Sequence, residues 1–86
     1  MAKADLPENP PREWIELMEH ATAWPRCYRN YFAAEPGGDD AVRWDAMVEA
    51  GLAYRGVVIN PPPYELQIYN VTDAGMDALR DATKET

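Results

Sequence analysis

Apolar residues in the first part of the chain recur with the period of an amphipathic helix. The i, i+3, i+4, i+7 spacing is that of Trp14, Leu17, Met18 and Ala21. Pro10 and Pro11 stand where the first turn of a helix tolerates proline. Pro25 ends the pattern, because the residue before a proline disfavours the α region. We therefore predict a first helix, preceded by a flexible arm over residues 1–9, where no periodicity is present.

The pattern over residues 26–34 fits two structures. Pairs at 27/28 and 31/32 repeat every four residues and favour a short helix that begins near Pro25, whereas the aromatic content would also suit a strand. We predict the helix. Cys27 is then expected to be a small core residue; its alternative role is that of a reactive thiolate, favoured by the neighbouring Arg26 and Arg29.

A further helix is predicted after residues 35–38, whose sequence Glu-Pro-Gly-Gly breaks any helix. Asp39 or Asp40 is well placed as its N-cap. The helix runs to about Ala50, and Gly51 supplies the left-handed position on which helices commonly end. Two sets of buried positions fit this segment: one is Ala41 with Trp44, and the other is Val42 with Val48 and either Ala46 or Met47.

The hydrophobic period changes to two after Gly51. Residues 52–59 and 64–71 are β-branched and aromatic runs with three prolines between them, which predicts a β-hairpin with a proline-rich tip. Tyr54 and Tyr69 are expected to pair across the hairpin. Thr72 is the natural N-cap of a last helix, where Asp73 in the first turn is favourably placed against the helix dipole.

Together these elements predict one α+β domain over residues 10–86. The length of 86 residues leaves no room for a second core. Trp14, Phe32 and Trp44 are expected to form that core.

Composition and charge narrow the classes of function. Eight Lys/Arg against 15 Asp/Glu give a net charge of -7, which disfavours general affinity for phosphate backbones. One Cys and one His exclude a disulfide framework and a multi-ligand Cys/His zinc site. No apolar run approaches the ~18 residues of a membrane span. We therefore expect a cytoplasmic protein that does not bind membranes, is not an enzyme and needs no cofactor.

Two segments resemble a known family. Residues 47–55, Met-Val-Glu-Ala-Gly-Leu-Ala-Tyr-Arg, resemble the end of a recognition helix that runs into the first wing strand of a winged helix-turn-helix domain. Residues 69–79, with Thr72, Gly75 and Leu79, resemble the second wing strand and following helix of MarR-like and PadR-like regulators. The resemblance implies a winged-helix-like fold with about three helices, a hairpin wing and a C-terminal helix. Small acidic chains of this kind also resemble accessory proteins of phage or prophage origin.

Four arginines are the candidate contacts to a partner: Arg26, Arg29, Arg43 and Arg55. Residues 39–56 would contain the recognition helix, yet they carry four acidic residues and two arginines, a net charge of -2. A helix that reads the major groove should present Arg, Lys, Asn or Gln. We therefore expect a protein-protein interaction module with a protein partner. The alternative is a sequence-specific DNA-binding regulator that acts as a dimer, with Arg43 and Arg55 as contacts to duplex DNA. Self-association as a homodimer is a further expectation.

The last predicted helix carries an acidic stripe. Asp73, Asp77 and Asp81 stand at i, i+4 and i+8, a spacing at which like charges destabilise a helix by a few tenths of a kcal/mol per pair. One interpretation is a surface that imitates a row of phosphates and occupies a basic groove of a partner. The ordinary interpretation, which we prefer, is a solvated face that keeps the protein soluble.

Overall fold

The computed structural model describes residues 10–83, which form three helices and a three-stranded antiparallel sheet. In chain order the elements are α1 (Arg12–Thr22), β1 (Phe32–Ala34), α2 (Asp39–Glu49), β2 (Ala53–Ile59), β3 (Leu66–Val71) and α3 (Asp73–Thr83). The α+β class expected from the sequence is confirmed. The predicted arm over residues 1–9 lies outside the described residues, as do residues 84–86.

The first predicted helix is present as α1. Met18 and Ala21 on its apolar face are fully buried, whereas Trp14 is only partly buried at the edge of the core. The helix ends at Thr22, because the next residue, Ala23, takes left-handed backbone angles with φ of 58°.

The helix predicted for residues 26–34 is wrong. Cys27 also takes a left-handed conformation, with φ of 57°, which a continuing helix does not allow. Residues 27–31 are irregular, and the chain then enters β1, so the described residues contain three helices rather than four. Cys27 is exposed, and the expectation of a small core residue is therefore wrong as well.

Long-range hydrogen bonds fix this segment as an extended connection. The Asn30 side chain donates to Val71 O at 3.0 Å and accepts from Val71 N at 2.8 Å. The Asn70 side chain donates to Asn30 O at 2.6 Å. These partners lie about half the chain away, so a local pattern of apolar pairs could not reveal them.

The sheet has the order β1-β3-β2, with β3 in the centre. Phe32 of β1 and Arg55 of β2 both lie opposite Tyr69 of β3. Tyr54 lies opposite Asn70, so Tyr54 and Tyr69 project from opposite faces of the sheet and the expected cross-strand tyrosine pair is wrong. The β2–β3 register shifts by one residue between Arg55 and Val58, which marks a β-bulge.

Helix α2 uses the first of the two predicted registers. Ala41, Trp44 and Met47 are buried, whereas Val42 is 60% exposed. The N-cap is Gly38 rather than Asp39 or Asp40. Both aspartates lie instead in the first turn of α2, where the helix dipole favours carboxylates.

The end of α2 and the start of α3 follow the predicted chemistry. Gly51 is left-handed with φ of 84°, and Leu52 N donates to Met47 O at 2.9 Å, as in a Schellman motif. The Thr72 hydroxyl accepts from Gly75 N at 3.0 Å, which confirms Thr72 as the N-cap of α3.

Gly75 lies where α3 closely approaches Leu52 and Val71, at the two ends of the hairpin. A Cβ atom at this position would overlap Leu52 O and would lie 2.6 Å from Val71 Cγ1. Because real Cβ atoms essentially never come so close to other atoms, only glycine fits here without movement of the neighbouring chain.

Replacing Gly75 with alanine is expected to lower the free energy of unfolding by about 1–3 kcal/mol, because the added methyl group overpacks this contact. Urea unfolding followed by circular dichroism measures the change. Ala74→Ser, at an exposed position of the same helix, is the control and should change stability by less than about 0.5 kcal/mol. A gain of about 1 kcal/mol, as helix propensity alone gives, would contradict the packing explanation.

Candidate functional site

Asp45 connects α2 to both strands of the hairpin. Its Oδ1 atom accepts a hydrogen bond from the Tyr69 hydroxyl at 2.6 Å and another from Arg55 Nη2 at 3.0 Å. Tyr69 is buried, while the side chains of Asp45 and Arg55 are about half exposed. This cluster of a carboxylate, a phenol and a guanidinium joins three elements, and its polar atoms largely satisfy one another.

The cluster also perturbs the acid–base properties of its members. The pKa of Tyr69 is raised, first by burial of the phenol and then by its hydrogen bond to the Asp45 carboxylate. The pKa of Arg55 is raised mainly by its hydrogen bond to Asp45. Tyr69 is therefore a neutral donor at physiological pH, and the guanidinium of Arg55 already has a carboxylate partner.

The structure does not bring Arg43 and Arg55 together. Arg43 lies 3.5 Å from Asp40, whereas Arg55 binds Asp45. Residues 43 and 45 of an α-helix are separated by about 200° around its axis, so the two arginines lie on opposite flanks of α2. Each arginine is paired with a different aspartate of α2, and the two arginines form no common basic patch.

Arg26, at the end of the turn after α1, and Arg29 lie in residues 26–31, which we call the Arg–Tyr loop. Arg29 Nη2 donates to His20 O at 2.7 Å, and its guanidinium carbon stands 5.8 Å from the centroid of the Tyr28 ring. Within residues 10–83 no carboxylate pairs with either arginine. These two candidate contacts are therefore close in the chain and, unlike Arg43 and Arg55, are not paired with a carboxylate of the described residues.

The outward face of α2 is acidic and apolar. Asp39, Val42 and Glu49 are exposed on the side of the helix away from Ala41, Trp44 and Met47, and Ala46 lies among them. This face carries no basic residue. The face that would enter a major groove in a DNA-binding domain therefore presents carboxylates.

The acidic stripe predicted on the last helix lies on an exposed face of α3. Asp73, Asp77 and Asp81 are all exposed. Arg80 Nη1 lies 2.7 Å from Asp77 Oδ1, so one of the three carboxylates has a basic neighbour within the helix. The stripe is thus interrupted at its centre by an ion pair between exposed groups.

Strand β2 exposes Tyr54, which was expected to pair with Tyr69, and three further hydrophobic residues that the sequence analysis did not single out. Only Ala53 of this strand is buried, and four large side chains are exposed, which we call the hairpin strip: Tyr54, Val57, Val58 and Ile59. Because β3 pairs with β2 on one side only, β2 is an edge strand of the described sheet. A continuous Val-Val-Ile run, in place of an alternating pattern, was the available signal.

An open groove of about 460 Å³ lies between α1 and α2. Glu13, Glu16 and Asp40 lie along it, and Leu17 and Phe32 form its apolar part. His20, whose ring centroid is 5.5 Å from that of Phe32, completes one side.

Residues 10–83 contain no group of three or more His, Cys, Asp or Glu that could hold a metal ion. Within the same range no helix is both long and apolar enough to cross a membrane.

Replacing Tyr69 with phenylalanine is expected to lower the free energy of unfolding by about 1–2 kcal/mol, because Asp45 loses a short hydrogen bond whose donor is buried. Tyr54→Phe is the matched control, since this hydroxyl belongs to an exposed side chain on the other face of the sheet. Urea unfolding compares the two variants. Equal losses in both would contradict a specific contribution from the Tyr69 hydroxyl.

The raised pKa of Tyr69 also predicts a dependence of stability on pH. The ordinary pKa is 10.0, and the folded protein holds the phenolic proton more tightly than the unfolded chain does. This contribution is complete below about pH 10 and is lost as the pH rises above the folded value. In urea unfolding at increasing pH, stability should therefore fall more steeply above about pH 10 in the wild type than in Tyr69→Phe. Tyr54→Phe should follow the wild type, and identical slopes in all three proteins would contradict the expectation.

Comparison of the chain with known proteins assigns it to no family. No protein-family model matches it, and neither the comparison with curated proteins nor that with solved structures finds a match. The surface chemistry of the described residues is therefore the basis on which a function can be inferred.

Proposed function

We propose that this chain is a small acidic protein-protein interaction module that binds a partner protein through the hairpin strip. The observation that carries the proposal is the exposure of four large hydrophobic side chains along β2, among them Val57 at 68% and Tyr54 at 51%. Clustered exposed apolar side chains on a small protein are typical of binding surfaces, and here they lie along one edge strand, with Tyr54 and Ile59 on one face of the sheet and Val58 on the other.

The charge distribution supports the same surface. Edge strands in soluble proteins are commonly protected by charged side chains, but the only charged residue of β2 is Arg55, which binds Asp45 of the same chain. Residues 50–64 contain no Asp or Glu, although the whole chain has a net charge of -7. Binding of an apolar surface at this part of the molecule therefore removes water from few charged groups, and the free-energy cost of that desolvation is small.

The gain available from covering this surface is substantial. Burial of apolar area contributes roughly 25 cal/mol per Å², and a fully covered Val or Ile side chain contributes about 1.5–3 kcal/mol relative to its exposed state. Because the side chains of the hairpin strip are partly exposed rather than fully exposed, each supplies a fraction of that range. Of these side chains, Tyr54 belongs to a residue type that is enriched among the few residues that dominate the energy of protein interfaces.

The proposal extends to the scaffold and the cellular setting. We propose a winged-helix-like domain with a proline-rich hairpin tip, which acts in the cytoplasm without catalysis. The support for the scaffold is the succession of α2, the β2–β3 hairpin and α3, together with the cap at Thr72 and the tight contact at Gly75. Against a DNA-reading role stand the acidic outward face of α2 and the separation of Arg43 from Arg55.

Photo-crosslinking tests the hairpin strip directly. A photoreactive amino acid at position 57 is expected to capture a protein in a lysate of the source organism, whereas the same amino acid at position 12, on α1, should not capture it. The arms with and without nuclease treatment should give the same product. The mass of that product shows whether the partner is a different protein or a second copy of this chain.

In an affinity-tagged chain without the photoreactive amino acid, Val57→Glu is expected to reduce recovery of the same partner by tenfold or more, because a carboxylate would be buried in an apolar interface. Val42→Glu introduces the same change at an equally exposed valine on α2 and should leave recovery unchanged. Loss of the captured material on nuclease treatment, or sub-micromolar and salt-sensitive binding to one duplex DNA sequence, would favour the DNA-binding alternative.

A further inference from the structure

The Arg–Tyr loop, residues 26–31, is a second surface with a different chemistry from the hairpin strip. Tyr28 is 72% exposed and Tyr31 is 54% exposed, and Cys27 between Arg26 and Tyr28 is exposed as well. The loop leads into β1, which forms the edge of the described sheet opposite to β2. The two surfaces therefore lie at opposite sides of the sheet.

We propose that the Arg–Tyr loop docks an acidic segment of a partner protein, an inference that rests on the proposed function in so far as the bound molecule is a protein. Tyr and Arg are the residues most enriched among those that dominate protein interfaces, because they combine a large contact area with directed hydrogen bonds. Here two of each occur within six consecutive residues.

Hydrogen bonds at both ends hold the loop in one conformation. Tyr31 N donates to Ala21 O at 3.1 Å, and the Asn30 side chain is bound to Val71 through two hydrogen bonds. Arg29 is tied to His20 O at the end of α1. A surface that is already ordered loses less conformational entropy on binding than a free loop does.

The division of tasks between the two arginines follows from their contacts. Arg29 donates one guanidinium N–H to His20 O and lies over the Tyr28 ring, and its remaining N–H donors make no hydrogen bond to a described residue. Arg26 is exposed, and no described residue pairs with its guanidinium. The Arg26 donors are therefore available for a carboxylate of the partner, which a guanidinium can bind in a bidentate manner.

Charge complementarity selects an acidic partner. From residue 20 to residue 34 the chain contains two arginines and no Asp or Glu, whereas the flanking residues Glu19 and Glu35 are acidic, as is the chain as a whole. The loop is thus the local positive site of an acidic protein.

The same arrangement favours a short carboxylate-bearing segment over a nucleic acid strand. At physiological ionic strength the field of exposed charges is screened over about 8 Å, so a compact acidic segment can sit on the loop alone. A polynucleotide continues beyond the loop with one phosphate per nucleotide, and these phosphates meet the carboxylates of the neighbouring surfaces. Repulsion there opposes what the two arginines gain.

Fluorescence anisotropy with a labelled peptide of alternating Glu and Phe tests the inference at about 0.15 M salt. The wild-type protein should bind this peptide more tightly than a peptide of alternating Gln and Phe. Arg26→Gln and Tyr28→Ala should each weaken binding roughly three- to tenfold. Both positions are exposed, so neither change should alter the circular dichroism spectrum or the midpoint of thermal unfolding.

Arg12→Gln is the matched control, because it removes the same charge from an exposed side chain on α1 and should leave affinity within about twofold. No binding of the acidic peptide by the wild type, equal losses in Arg12→Gln and Arg26→Gln, or no effect of Arg26→Gln and Tyr28→Ala would each overturn the inference. Tighter binding of a labelled single-stranded DNA that depends on Arg26 and Tyr28 would overturn it in favour of a nucleic acid. Capture through position 57 is measured separately, so the hairpin strip stands or fails on its own.

Discussion

Burial of Trp44 is the contact on which the other elements depend. Its ring is fully buried on α2 and lies between Phe32 of β1, at 5.5 Å, and Tyr69 of β3, at 5.6 Å. The indole Nε1 has no hydrogen-bond partner among the described residues, an arrangement that costs about 1–3 kcal/mol. Burial of an aromatic side chain of this size and its contacts with two other rings offset that cost. Because Asp45 follows Trp44, the same turn of helix also reaches the Tyr69 hydroxyl and Arg55.

This arrangement determines which side chains remain for binding. The arginines nearest to α2 are paired with its aspartates, and the outward face of α2 carries no base. Positive charge without a carboxylate partner is left in the Arg–Tyr loop, and apolar surface is left along β2. The described part of the molecule thus places the arginines of the Arg–Tyr loop and the exposed apolar side chains of β2 at opposite edges of one sheet.

The sequence correctly predicted the elements that are determined by residues close together in the chain. The apolar stripe of α1, the β-hairpin and the Thr72 cap are confirmed. The helix expected over residues 26–34 failed because that segment takes its conformation from distant partners such as Val71. Pairing of Arg55 with Asp45 needed both the register of β2 and the position of α2, neither of which follows from sequence spacing. The sequence identified Arg43 and Arg55 as candidate contacts, but it could not show that each is paired with an aspartate of α2.

The β-bulge in β2 has a consequence for the addition of further strands to the exposed edge of the sheet. An exposed apolar edge strand is a template for backbone pairing with further chains, and repeated pairing leads to fibres. Between Arg55 and Val58 the extra residue breaks the regular row of amide and carbonyl groups, and the Gln67 side chain donates to Gly56 O at 2.9 Å. A strand from another molecule would find this row interrupted, which disfavours open-ended addition of strands to β2.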